Sequence, residues 1–215
     1  FTIFITHLMV CMNKFYYCAV LLSITSCTGM PAQLYQESFL ELRSSLFKPS
    51  MDSSKKFFEG FPYSYAIIRI GNSKPARIVL SSISTNIFEW VSADGVKIYT
   101  LEGKVIRTLG LERDIDLIAE RVKFNTPSQQ NVFLDLYNPE AINIAGIQSV
   151  TIGEEETIVF LEQPIDVLSA QERIFFKAIN WTQKNQYYLR DGQVIKSVQK
   201  FHPLMPKIEI QFYLK

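Results

Sequence analysis

Two histidines, three cysteines and 21 acidic residues are the groups in this 215-residue chain with the types for catalysis or metal binding. Their spacing removes most options. Cys11, Cys18 and Cys27 all fall at the amino end, so the body has neither a disulfide framework nor a paired-cysteine metal site. His7 lies there too, which leaves His202, directly before a proline, as the one imidazole a Ser-His-Asp triad could recruit. Carboxylate pairs survive. Glycoside hydrolysis needs two carboxyls at a fixed separation, and the candidates are Asp94, Glu102, Asp114, Asp116 and the run Glu154-Glu155-Glu156. Each has a plainer reading. Asp94 and Glu102 precede glycine as turn residues do, and the glutamate run follows Gly153 as a solvated loop tip would. That run also lacks the oxygen-ligand spacing of a calcium loop. The expectation is a protein that is not an enzyme and holds no metal or cofactor, with a glycan-modifying hydrolase as the alternative.

Aromatic side chains offer a milder chemistry. Trp90, Tyr99, Trp181, Tyr187 and Tyr188 lie in or beside β-prone runs, and amphipathic rings of this kind stack on the apolar faces of sugars. Packing in a core is the competing use for most of them. Tyr187 and Tyr188 are adjacent, so in a strand they point to opposite faces and one of them faces out. Trp90, Tyr187 and Tyr188 are the candidate contacts to a glycan or a protein partner.

Cys27 has its own context. From Met12 the chain reads as a short positive start with Lys14, an apolar run from Phe15 to Thr25, and then Ser26 and Cys27. This is the layout of a secretory signal. The run is too short to span a bilayer, which needs about 20 residues, and a longer anchor from Phe1 would bury Lys14 at about 2.5–3.5 kcal/mol. Ile24-Thr25-Ser26-Cys27 resembles a bacterial lipobox, in which the cysteine sulfur takes a diacylglycerol and the new amino group is acylated as well. Several acyl chains are what stable anchoring requires. The reading therefore divides the chain into residues 1–26, upstream sequence plus a signal starting at Met12, and residues 27–215, one periplasmic β-rich domain on a short tether. Position 28 is Thr rather than Asp, which favours the inner leaflet of the outer membrane of a Gram-negative bacterium.

The elements that must position these groups follow from patterning. The chain is 47% hydrophobic with a formal net charge of +1. It has no cluster of Lys and Arg, which argues against a nucleic-acid partner. Tyr35, Phe39, Leu42 and Leu46 recur at helical spacing, predicting one amphipathic helix over residues 34–47. Beyond Tyr63 the runs become β-branched and short. Asp94-Gly95, Glu102-Gly103 and Asp191-Gly192 separate such runs as hairpin turns do, and further turns are expected at Asn138-Pro139 and Gly153. Residues 111–122 fit a helical turn or a strand. At the end, Ile208, Ile210, Phe212 and Leu214 alternate with Lys207, Glu209, Gln211 and Tyr213, a half-buried strand. The expected fold is mainly β: an antiparallel, barrel-like domain with one amino-terminal helix, closed because closure removes exposed edges. Its strands look too short and irregular for an outer-membrane barrel.

Two stretches carry a family resemblance. Trp90-Val91-Ser92-Ala93-Asp94-Gly95 followed by Gly103 to Leu111, and the tail from Asn185 with its tyrosine pair, hairpin and alternating strand, resemble the YjbF family of bacterial lipoproteins. These are found with group 4 capsule and exopolysaccharide genes. Glu112 stands where the family commonly has proline, and residues 123 to 160 match little. The resemblance implies a β-barrel-like lipoprotein needed to make or export a surface polysaccharide, and it carries no catalytic residues across. The function expected is therefore a non-enzymatic accessory in capsule or exopolysaccharide assembly or export. Its partners would be the membrane, through the lipid, and polysaccharide or export-machine proteins. A periplasmic lipid-carrier barrel is a further alternative.

Overall fold

The computed structural model describes residues 54–121 and 123–215. The leader, Cys27 and the helix expected over residues 34–47 lie outside them. The described chain opens on a short helix, α1 (Lys55–Gly60), whose cap is Ser54: the Phe57 amide donates to its hydroxyl at 3.2 Å. Twelve strands follow: β1 (Tyr65–Ile70), β2 (Ala76–Ser84), β3 (Ile87–Ser92), β4 (Lys97–Leu101), β5 (Lys104–Leu109), β6 (Ile115–Ile118), β7 (Ser128–Leu136), β8 (Ala141–Phe160), β9 (Gln163–Phe176), β10 (Trp181–Arg190), β11 (Gln193–Gln199) and β12 (Ile208–Tyr213). Every strand pairs antiparallel with its sequence neighbours, and β12 returns to β1 from Tyr65↔Tyr213 to Ile70↔Ile208. The sheet is a closed barrel, as the alternating runs predict.

Turn chemistry explains most of the connections. Glu102-Gly103 and Asp191-Gly192 are two-residue turns with all four residues at positive φ, the geometry that matches strand twist. At Asp94-Gly95 only the glycine is left-handed. Thr85-Asn86 and Leu161-Glu162 form the same kind of left-handed turn without any glycine. The turn expected at Gly153 is instead a bulge inside β8, where pairing steps from Ile152↔Ala170 to Glu155↔Leu168. Glycine is required there, since a Cβ would sit 2.2 Å from the Ser169 hydroxyl oxygen. Residues 115–118 settle as strand β6, preceded by a loop whose Gly110 and Leu111 amides donate to the Asp114 carboxylate at 2.9 and 3.1 Å.

Strand β12 shows how the wall is built. Ile208, Ile210 and Phe212 point into the core, as their alternation requires. Tyr213, on the outward face, is nevertheless only 1% exposed. It stacks on Tyr65 at 4.6 Å and on Phe160 from the end of β8 at 5.1 Å, and Phe58 of α1 lies 6.2 Å away. The helix and the long β8–β9 hairpin thus cover the seam where the barrel closes.

Strands β5 and β11 stand opposite one another in the order, with five strands between them on either side. They nonetheless touch. The Gln199 side chain of β11 donates to the Gly103 carbonyl at 2.8 Å and accepts from the Val105 amide of β5 at 2.9 Å. A round barrel of this many strands would hold its opposite walls well apart, so the wall is pinched here. Strand β5 meets β6 at a single pair, Arg107↔Asp116, and Gln199 supplies part of the bonding that a longer β6 would have given.

Candidate functional site

Sequential antiparallel pairing puts the turns at 85–86, 102–103, 161–162 and 191–192 at one end of the barrel, together with the β6–β7 connection. A cleft of about 320 Å³ opens at this end. Phe88 and Phe212 form its apolar side, both packed on Trp90 with ring centres 6.0 and 5.5 Å away. Asn86, Glu102, Arg121 and Asp191 form its polar rim. Arg121 is ion-paired with Glu102. The β4–β5 and β10–β11 turns are in tight contact, since a Cβ on Gly103 would fall 2.5 Å from Val194.

Beneath the end of the barrel the lumen is filled. Phe124, from the β6–β7 connection, is 2% exposed and stacks on Tyr187 at 3.8 Å. Below this pair lies a buried polar network. The Lys104 ammonium is 2.9 Å from Glu172 Oε1 and donates to Gln148 Oε1 at 2.9 Å. Glu172 Oε2 accepts from Asn185 Nδ2 at 2.6 Å and from the Tyr187 hydroxyl at 2.9 Å. Burial and the neighbouring Glu172 carboxylate push the Tyr187 phenol well above its ordinary pKa, which keeps it a donor. The network pairs its charges and ties β5 to β8, β9 and β10 across the lumen. The cleft above it presents groups suited to recognition. Among the described residues no group of three or more His, Cys, Asp or Glu could hold a metal.

Two of the three aromatic contact candidates fall inside. Trp90 is fully buried and its indole N–H donates to Thr100 Oγ1 at 2.8 Å. Tyr187 is fully buried in the network. Both face inward on their strands, so neither offers a free ring, which corrects the expectation of surface contacts at these two positions. Tyr188 is the outward member of the pair, half-buried, with the Lys196 ammonium 5.8 Å from its ring centre. Trp181 stacks on Phe176 at 5.4 Å.

The carboxylate candidates are dispersed. Asp94 accepts from the Ser92 hydroxyl within its turn. Asp116 pairs with Arg107 at 3.5 Å and lies beside Asp135 across the β6–β7 register; burial, with Asp135, raises its pKa. Glu154, Glu155 and Glu156 are exposed as expected, but they belong to β8 rather than to a loop tip, because the bulge at Gly153 lets the strand continue. Of these candidates only Glu102 reaches the cleft.

The sequence matches, over residues 40–213, the family described as group 4 capsule polysaccharide lipoprotein gfcB, YjbF. The chain belongs to the YjbF family. All twelve strands fall within the match, including the region from residue 123 to 160. The fold has a solved counterpart in a hypothetical lipoprotein, YmcC, from Escherichia coli, with a TM-score of 0.68 at 18% identity, covering 81% of this chain and 94% of that one. A putative lipoprotein from Parabacteroides distasonis covers 72% of this chain and 95% of its own at 7% identity, with a TM-score of 0.32 too low to bear on the fold. No curated protein sequence matches the chain. YjbF membership ties the chain to bacterial lipoproteins and to capsule polysaccharide.

Sequence reasoning missed Lys104, Glu172, Gln199, Arg121 and Asp191. For Glu172 a signal existed: Ala170, Glu172, Ile174 and Phe176 alternate, so a carboxylate sat on the apolar face of a strand and needed a buried partner. For the rim the signal was the pair of hairpin turns around Gly103 and Gly192, which sequence alone could not bring together.

Proposed function

We propose that this YjbF lipoprotein is anchored through acylated Cys27 in the inner leaflet of the outer membrane. Its barrel lies in the periplasm and serves, without catalysis, as an accessory in the assembly or export of capsule or exopolysaccharide. The observation that carries the reading is the family match across the whole barrel. The lipobox-like Ile24-Thr25-Ser26-Cys27 supports the anchor. The ion pairs of the outer wall support an aqueous setting: Arg69 and Lys196 pair with Glu209, Lys97 with Glu89, and Arg107 with Asp116, while the described interior is mostly apolar around the Lys104–Glu172 network. A barrel facing lipid shows the reverse pattern.

Membrane fractionation of cells expressing the wild type and Cys27→Ala tests the anchor. Wild type should incorporate labelled palmitate and sediment with the outer membrane, and the variant should do neither. Identical fractionation and labelling of the two would overturn the anchored reading.

A further inference from the structure

We infer that the cleft between the β2–β3, β4–β5 and β10–β11 turns binds a segment of uncharged or weakly charged polysaccharide. The inference rests on the polysaccharide role proposed above and names the site and the ligand class. Three features converge on it. The apolar side presents the half-buried ring of Phe88, with the buried Phe212 behind it, which suits the C–H face of a sugar. The rim is made of a primary amide, a guanidinium and two carboxylates, from Asn86, Arg121, Glu102 and Asp191, which together accept from and donate to vicinal hydroxyls. Three of these four rim residues hold left-handed backbone without being glycine, Asn86 at φ 68°, Glu102 at 52° and Asp191 at 51°. Backbone held this way sets the direction in which each Cβ leaves its turn; the Glu102 carboxylate is further held by Arg121, while the Asp191 side chain is 94% exposed.

Other occupants fit worse. Two carboxylates against one guanidinium give the four named rim groups a net negative charge, which disfavours phosphate or an anionic lipid head group. An acyl chain needs an apolar tunnel, and the lumen nearby is filled by Phe124 on Tyr187 and pinched by Gln199.

The test titrates the full lipidated chain, in detergent, with oligosaccharides cut from the source bacterium's own surface polysaccharide, followed by calorimetry. Asp191→Asn keeps a residue that favours the left-handed turn before Gly192 and removes one charge. Arg121→Gln removes the guanidinium. Lys177→Gln, on the exposed turn at the other end, is the control. Expected are saturable binding by wild type and the control, and affinity about tenfold weaker in each rim variant, the loss of one charged hydrogen bond. No saturable binding by wild type, or wild-type affinity in both rim variants, overturns the inference. If the gene restores polymer to a deletion strain while the protein binds no oligosaccharide, the cleft is wrong and the accessory role stands. Binding without any effect on polymer leaves the site and removes the role.

Discussion

Lys104 and Glu172 are less than 4% exposed and sit inside a mostly apolar barrel because each charge meets the other and both are bonded onward to Gln148, Asn185 and Tyr187. Removing one partner strands the other. Lys104→Met should cost about 3–5 kcal/mol of unfolding free energy, and Lys104→Met with Glu172→Leu should recover much of it, since the uncompensated charge is gone. Urea unfolding of the three proteins checks this, and a single variant as stable as wild type would contradict it. His202 makes a second residue-scale prediction. It is fully buried; its Nδ1 accepts the Leu204 amide at 3.0 Å, so the proton sits on Nε2 and the ring is neutral. Burial, with Arg113 and Lys200 adding to it, lowers its pKa to about 4. The unfolded chain, with an imidazole near 6.5, takes up the proton first as pH falls. Stability that is complete above 6.5 is therefore lost down to about 4, by about 3 kcal/mol at most. The stability difference between wild type and His202→Gln should shrink by that amount between pH 7 and 4; parallel curves would refute the assignment. Glu172 was legible as an oddity of alternation. His202 was legible only as a residue before proline, because its burial depends on the packing of distant strands.

On the side away from β4, strand β5 relies on the pinch for part of its bonding. Gln199→Leu leaves the Val105 amide without its acceptor and the Gly103 carbonyl with only the Ser197 hydroxyl, 3.4 Å away, which should destabilise the protein by about 1–3 kcal/mol and speed hydrogen exchange at Val105 most of all. Unchanged protection there would show that β5 is held by other means. At the adjacent turn, Gly103→Ala meets both a φ of 78° and a Val194 methyl 2.5 Å from the new Cβ. It should cost more than about 1 kcal/mol, and Val194→Ala should rescue it only partly, because the backbone strain remains. Calorimetric melting of the single and double variants reads both effects. The Gly-containing turns were legible because left-handed backbone selects glycine. Leu161-Glu162 was not, since nothing in those side chains announces positive φ, and there the flanking strands impose the turn. The Gly153 bulge was read as a chain reversal for a related reason: glycine marks a need for space or unusual φ, and only the Ser169 hydroxyl beside it shows which.

At the scale of the whole molecule, short alternating runs joined by tight turns allowed one economical outcome, a meander closed on itself, and the chain adopts it. The pinch was illegible, because it joins residues ninety or more positions apart through one amide side chain. The cleft was half legible: two of its turns were marked by glycine, and Arg121 was not marked at all. The role proposed for this barrel lies in polysaccharide production. Surface and secreted polysaccharide, measured in a deletion strain carrying either an empty vector or the wild-type gene, tests it most directly. Loss of polymer in the deletion and its return with the gene are expected. Equal polymer in the deletion and the parent, under conditions where the parent makes it, would contradict it.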